Sequence, residues 1–353
     1  MALLAVGFVA LVAAGCGSTR GREAQPHVIP EPALAMVQPP RLETGDTVML
    51  VAPAGDVDKE RMMEAKEQLE RRGYRVKMRR DLFDQEGYLG GSDKRRAKEL
   101  MQAFTDPQVK AIFPGRGGYG TMRILDRLDY AKIRANPKIV TGFSDITGLH
   151  LALNRQAGLI TFHTPTSLWR LAGEEDEISF TEKYFFMTIA DNEEVQRKGY
   201  TIEIPDDGPQ PETLGKGRAR GRLVGGNLSM ISTLEGTPYS VDTRDAILLI
   251  EDTREAPYRI DRMLRQLQLA GKLATLRGAV LGQFTRNYDR EEDQMTEDPR
   301  FTVDGVLHQY FKPLGIPVLM NYPVGHHQMN ASLPLGGQVE VDADRGVLRI
   351  LPY

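Results

Sequence analysis

Val109–Gly120 reads VKAIFPGRGGYG. An apolar run of strand length breaks into a turn with four glycines, and Thr121–Leu128 then reads as a helix. A buried strand entering a helix through a glycine turn is the repeating unit of a parallel α/β sheet. The same unit recurs on both sides. Upstream, Thr47–Ala54 (TVMLVAPA) reads as a strand and Val57–Gly73 as an amphipathic helix. Tyr74–Met78 is a second strand, and Asp93 is the expected N-cap of a helix ending near Thr105. Downstream, Lys138–Gly142 is a strand, a helix runs from Ser144 to about Gln156, and Leu159–His163 is a fifth strand. Short strand–helix–strand connections imply a parallel, doubly wound sheet.

After Pro165 the alternation stops. Glu175–Pro211 is acidic, helical and then irregular, and reads as an interdomain segment. A second unit begins near Gly215. It has strands at Ala246–Glu251, Gly278–Phe284 and Pro317–Asn321, with helices at about Pro257–Leu269 and Val303–Leu314. Gln338–Val341 and Val347–Leu351 flank Asp344-Arg345-Gly346 as a closing hairpin.

The chain has 353 residues, net charge -3, 41% apolar and 26% charged residues, and one cysteine. These values fit a folded chain of two ordinary domains. A near-neutral balance argues against a nucleic-acid partner. One cysteine excludes an internal disulfide framework and thiolate metal sites. No H-E-x-x-H or comparable spacing suggests a metal, and no cofactor is expected.

Gly115, Gly117 and Gly120 match G-x-G-x-x-G, which brings in a dinucleotide-binding oxidoreductase as a rival reading. The turn follows the third strand, not the first, and no acid ends a strand about 20 residues later. A glycine-dense turn also lets backbone N–H groups converge on an anion of another kind. Ser144, in Gly142-Phe143-Ser144-Asp145, stands between strand and helix, where a nucleophile elbow presents its hydroxyl. The second glycine of that motif is missing, and a helix N-cap is the plain alternative. A serine nucleophile needs a base. His150 and His308 fall inside predicted helices, His163 ends a strand, and His326 and His327 follow Pro323-Val324-Gly325 on a loop. Glu251-Asp252 ends an apolar strand and supplies an orienting acid, while Asp252 also reads as fronting the next helix. The order Ser, Glu, His is allowed for a hydrolytic triad.

Seven ordered blocks carry a family resemblance: VAPAG at 51–55, GRGGYGTMRILDRLDY at 115–130, GFSDITGLHLAL at 142–153, TFHTP at 161–165, GRLVGGNLS at 221–229, LIEDTREAPYRIDRML at 249–264 and VGHHQMNASLPLG at 324–336. Together they resemble the LD-carboxypeptidases, serine peptidases that include murein tetrapeptide carboxypeptidases and microcin self-immunity peptidases. The resemblance implies a parallel, doubly wound, glutamine-amidotransferase-like N-terminal domain and a smaller, swivelling β/β/α C-terminal domain. It implies Ser144 as nucleophile, Glu251 as orienting acid and His326 as base, with an oxyanion hole at the backbone N–H groups of Gly118 and Asp145. Arg116, Arg259 and Asn227 are candidate substrate-binding residues, the arginines for the substrate carboxylate. Thr164 stands where the family often has glycine.

Met1 to Thr19 carries no charge, and Ala2–Ala14 is apolar up to Gly15-Cys16. This resembles a bacterial lipobox, with cleavage before Cys16 and lipid attached to it. Ala13 at the -3 position and the absence of Lys or Arg before the apolar run depart from that pattern. Five prolines follow by Pro40, as in an extended tether. The expected organisation is therefore a signal at 1–15, a tether at 16–43, an N-terminal domain at 44–168, an interdomain segment at 169–214 and a C-terminal domain at 215–353. The expected address is the cell envelope through the lipid, on the periplasmic face of the outer membrane where two membranes exist. Without the signal it is the cytoplasm. The expected reaction releases a C-terminal D-amino acid, D-alanine first, from muropeptide tetrapeptides. The alternatives are cleavage of peptidyl-nucleotide antibiotics and a non-catalytic muropeptide-binding lipoprotein. A homodimer is left open.

Overall fold

The structure is a computed structural model and describes residues 34–166, 179–287 and 298–352. The signal, Cys16 and the greater part of the tether lie outside the described residues. Among the described residues no helix is long and apolar enough to cross a membrane.

The first half alternates as its pattern requires. Strands β1 (Thr47–Val51), β2 (Arg75–Lys77), β3 (Val109–Pro114), β4 (Ile139–Gly142) and β5 (Thr161–His163) are separated by α1 (Lys59–Arg71), α2 (Asp93–Thr105), α3 (Tyr130–Ala135) and α4 (Ile146–Ala152). The strands pair in parallel in the order β5-β4-β3-β1-β2. Helix α1 starts where the Asp58 side chain accepts from the Arg61 N–H, and it buries Met62, Ala65 and Leu69 at helical spacing. The cap of α2 is Ser92, not Asp93, because the Ser92 side chain accepts from the Arg95 N–H. The helix expected over Thr121–Leu128 is instead two 3₁₀ turns, Thr121–Arg123 and Leu125–Arg127. Ile124 sits at φ -120 between the turns and donates its N–H to the Thr121 carbonyl, so α-helical bonding cannot run through.

The second half contributes α5 (Phe180–Ile189), α6 (Glu193–Lys198), β6 (Tyr200–Thr201), β7 (Glu212–Leu214), β8 (Arg218–Asn227), α7 (Leu228–Thr233), β9 (Ala246–Thr253), α8 (Pro257–Leu269), β10 (Gly278–Thr285), α9 (Val303–Phe311), β11 (Val318–Met320), β12 (Leu333–Leu335), β13 (Gln338–Asp342) and β14 (Val347–Ile350). Its sheet runs β6-β14-β13-β8-β9-β10-β11-β7. The four central strands β8 to β11 are parallel, and the outer strands are antiparallel. β13 and β14 form the expected hairpin. The segment read as interdomain supplies β6 and β7, at opposite edges of this sheet.

Two features cross the expected division. β12 leaves the second half and pairs antiparallel with β5 as the edge of the first sheet. One apolar core also spans both halves, with Ile146 and Leu149 of α4 packed in the same cluster as Val224, Leu228 and Ile231. The end of the stretch read as tether is docked as well. Val37 bridges Leu159, and Leu42 bridges Ala190 and is buried.

Candidate active site

β4 delivers Gly142 and Ser144 to the end of the first sheet. Ser144 has φ 61, a left-handed conformation that a non-glycine residue adopts at a cost of roughly 1–3 kcal/mol. The surrounding bonds hold that turn. The Gly142 carbonyl accepts from the Thr164 N–H at 3.0 Å and lies 2.9 Å from Nε2 of His150. The Gly142 N–H donates to the Thr164 hydroxyl at 2.9 Å. Thr164 therefore braces the elbow through its hydroxyl, which a glycine could not do. His150 is a fully buried packing residue of α4, and burial depresses its pKa to about 4.

The glycine turn lies against the same corner. The Thr121 N–H donates to Oδ2 of Asp145 at 2.9 Å, and the Thr121 hydroxyl donates to the Asp145 carbonyl at 2.7 Å. Buried Arg96 donates to the Gly120 carbonyl at 2.7 Å and to the Pro53 carbonyl at 2.5 Å, joining the turn to the end of β1. Gly117 approaches so closely that a Cβ there would sit 3.0 Å from the Ser144 Cβ and 3.2 Å from the Asp145 nitrogen. Gly118 has φ +92. Among the described residues no hydrogen bond engages the N–H of Gly118 or of Asp145. Unengaged backbone donors near a serine are what an oxyanion requires.

The acid and the base come from the other sheet. β9 carries Glu251, fully buried, and Nδ1 of His326 lies 2.7 Å from its Oε2. A carboxylate only accepts, so Nδ1 carries a proton, and in the neutral ring the lone pair is on Nε2. The loop before His326 fits only with glycine. Gly325 has φ +105, and a Cβ there would meet Oε2 of Glu251 at 2.5 Å. The Gly325 N–H donates to Oδ1 of Asn330 at 3.0 Å. The His326 ring packs at 4.7 Å, centroid to centroid, on Phe143, the residue before Ser144. Among the described residues the Ser144 hydroxyl makes no hydrogen bond, and His326 meets the elbow through Phe143. His327 also lines the cleft and is engaged by Met329, whose N–H donates to its Nδ1 at 3.1 Å.

A cleft of roughly 990 Å³ opens here, lined by Phe143, Gly325 and His326 and by Arg61, Arg116, Arg254 and Arg286. Arg116 reaches Oδ1 of Asp56 at 3.1 Å on the rim. Arg259 is not among the lining residues. Its guanidinium stands 5.6 Å from the Tyr258 ring and 3.6 Å from Oε2 of Glu255. Asn227 is buried and faces the acid: its Nδ2 donates to Oδ1 of Asp252 at 3.0 Å and to Oε1 of Glu251 at 3.4 Å. Asp252 does not front α8, whose cap is Ala256. It accepts instead from Ser229 at the start of α7. The reading of the sequence passed over Arg254 and Arg286, both at positive φ just past the ends of β9 and β10. Their position after an apolar strand was the available signal, since strand ends present functional side chains.

Comparison with known proteins fits this geometry. The family description "LD-carboxypeptidase N-terminal domain" matches residues 48–164, and "LD-carboxypeptidase C-terminal domain" matches residues 220–341. The chain belongs to the LD-carboxypeptidase family. It is a peptidase by that membership. This LD-carboxypeptidase is 37% identical over 305 residues to a Bacillus subtilis (strain 168) protein named "Probable murein peptide carboxypeptidase", covering 86% of this chain and 91% of the relative. It superposes on the muramoyltetrapeptide carboxypeptidase of Oxalobacter formigenes with TM-score 0.70 and 29% identity, over 86% of this chain and 97% of the other. The microcin C7 self immunity protein MccF, solved with aspartyl sulfamoyl adenosine, is similar with TM-score 0.77 and 26% identity, over 91% and 99%. The two-sheet α/β architecture is shared with these structures.

Proposed function

We propose that this LD-carboxypeptidase is a serine peptidase that cleaves an L,D amide bond and releases a C-terminal D-amino acid, D-alanine, from muropeptide tetrapeptides. The observation that carries the reading is the 2.7 Å contact between Glu251 Oε2 and His326 Nδ1, with the His326 ring packed on Phe143, the residue before the strained Ser144. In the reaction, Nε2 of His326 takes the Ser144 proton as Oγ attacks the carbonyl carbon. The tetrahedral oxyanion accepts from the N–H groups of Gly118 and Asp145. The imidazolium, held by Glu251, returns its proton to the leaving amine, and the D-amino acid departs. Water, deprotonated by His326, then hydrolyses the acyl-enzyme and restores Ser144. Four arginines around the cleft favour a substrate with free carboxylates. The names of the relatives support a muropeptide over other peptides. The likeness to MccF keeps cleavage of peptidyl nucleotides as the second reading.

Defined tri-, tetra- and pentapeptide muropeptides, incubated with the protein and read by mass spectrometry, test the reaction. Loss of one D-alanine from the tetrapeptide alone is expected. An untouched tetrapeptide beside a cleaved aminoacyl sulfamoyl adenosine would move the function to the second reading.

We further propose that Cys16 is lipidated and anchors the protein in the cell envelope, on the lipobox resemblance of Ala13-Ala14-Gly15-Cys16. Cell fractionation tests this. The unsubstituted protein is expected with membranes and C16S in the soluble fraction; identical distributions contradict it.

A further inference from the structure

Asp252 follows Glu251 on β9, and the two carboxylates are buried to 2% and 0% exposure. Successive strand residues point to opposite faces, yet one side chain touches both. Nδ2 of Asn227 donates to Oδ1 of Asp252 at 3.0 Å and to Oε1 of Glu251 at 3.4 Å. Oδ1 of Asn227 accepts from the Met230 N–H at 3.2 Å. With both ends of the amide occupied, Asn227 has one orientation.

Asp252 is caged by donors. Its Oδ1 accepts from Asn227 and from the Thr253 N–H at 2.8 Å. Its Oδ2 accepts from the N–H and the hydroxyl of Ser229, both at 2.8 Å. Four donors fill the four lone-pair positions of a carboxylate and leave none for a proton. Burial first, and then the Glu251 charge, push the Asp252 pKa up to about 6, and the four donors act against that rise by favouring the ionised form. Among the described residues no Lys, Arg or His is paired with it. An ionised, unpaired, buried acid is a cost to folding, and such costs concentrate at functional sites.

We infer that Asp252 is a positioning residue of the reaction: through Asn227 it fixes the Glu251 carboxylate, and it places a second negative charge behind the Glu251–His326 pair. The inference rests on the reading of Ser144, Glu251 and His326 as a triad. When His326 takes up the serine proton, the imidazolium forms next to one buried carboxylate and close to a second. Charges in a water-poor interior act more strongly than in solvent and need no reorganisation during the reaction. His163 of β5 packs on the same Phe143 ring as His326, but burial holds it neutral, with its pKa lowered to about 3. Arg61, Arg116, Arg254 and Arg286 line the same cleft and oppose the effect.

D252N keeps the shape of the side chain and removes its charge. Three readouts apply: kcat and KM, the pH dependence of kcat/KM, and the far-downfield proton resonance of the His326 Nδ1–H in the resting protein. The resonance needs no substrate, so it answers even if the protein releases no D-amino acid; that result would end the proposed reaction and leave this inference standing. In D252N we expect kcat to fall about ten- to a hundredfold, as for one charge-assisted hydrogen bond. KM should change little, the acid limb should move to lower pH and the resonance should move or broaden. N227A leaves Asp252 on Ser229 and Thr253 and should give a comparable loss of kcat. The double variant should lose no more than the worse single one. A folded D252N with unchanged kcat, acid limb and resonance overturns the inference. If D252N fails to fold, N227A decides. Unchanged kcat and resonance there overturn it, as does a raised KM at unchanged kcat, which would make Asn227 a substrate ligand.

Discussion

The backbone N–H of Asn227 donates to Oγ1 of Thr147 at 3.0 Å, across 80 residues of sequence. Thr147 lies on α4, one turn after Ser144, and Asn227 ends the strand that pairs with Glu251. The contact joins the half that holds the nucleophile to the half that holds the acid. Its fit is tight: a Cβ on Gly226 would meet the same Thr147 hydroxyl at 2.7 Å.

Thr147→Val keeps the volume and removes the acceptor. A buried N–H left unpaired costs about 1–3 kcal/mol. Urea unfolding should show a loss of that size. The folded variant should lose about tenfold in kcat, because the two halves lose register by tenths of an ångström. Unchanged stability and kcat would remove this contact from the account.

Gly117→Ala tests the proposed oxyanion hole. The added methyl would lie 3.0 Å from the Ser144 Cβ and 3.2 Å from the Asp145 nitrogen, so the glycine turn must retreat from the elbow. We expect kcat to fall by about 10²-fold or more, as for the loss of one oxyanion donor. The melting temperature should change by only a few degrees, because Arg116, Gly118 and Tyr119 on either side of Gly117 are exposed and leave the turn room to retreat. A fall in melting temperature that accounts for the whole loss of activity would argue against the role.

His163→Phe tests the acid side of the stability curve. His163 is fully buried, with its pKa lowered by burial from the ordinary 6.5 to about 3, and neither ring nitrogen has a partner among the described residues. Below pH 6.5 the unfolded chain takes up a proton that the folded chain refuses. The stability contribution is therefore whole above 6.5 and is lost as the pH falls toward the folded value. The loss is about 1.4 kcal/mol per pH unit. His163→Phe should flatten the decline between pH 6 and 4, measured by urea unfolding at each pH. An unchanged slope would mean that His163 is protonated, or reached by water, in the folded state.

The cleft arginines separate by position. R254A and R286A should raise KM for a tetrapeptide with a free terminal carboxylate and leave KM for the amidated peptide unchanged. R116A should do the same, because Arg116 lines the cleft too. R259A should leave both KM values as they were, since Arg259 pairs with Glu255 and Tyr258 instead of lining the cleft. Equal KM values for free and amidated peptides in the unsubstituted protein would remove carboxylate recognition altogether.

Much of this was legible in the chain. The strands of the first sheet were readable because both faces of a parallel sheet are buried, so its strands are unbroken apolar runs such as Ile112-Phe113 and Ile139-Val140. β8 was missed because Arg218, Arg220 and Arg222 alternate along it. Arg218 and Arg220 are matched across the sheet by Asp342 and Glu340 on β13, and Arg222 by Asp242 outside it, pairings no local pattern contains. β12 was missed because three residues at a sheet edge carry too little pattern, and their partner β5 lies in the other half. At the site, Ser144, Glu251 and His326 were named through the family resemblance. By spacing alone the serine read as a helix cap, because a positive φ does not appear in sequence when the residue is not glycine. Asn227 was expected on the substrate. Its contacts with Glu251 and Asp252 depend on the register of β8 against β9.

The most direct test of the account is Ser144→Ala, assayed for D-alanine release from a muropeptide tetrapeptide beside the unsubstituted protein. The account predicts a fall in kcat of about 10⁴-fold or more in a variant that is as stable or slightly more so, since the strained hydroxyl-bearing turn contributes chemistry and not packing. Release of D-alanine by the folded variant at the rate of the unsubstituted protein would contradict it.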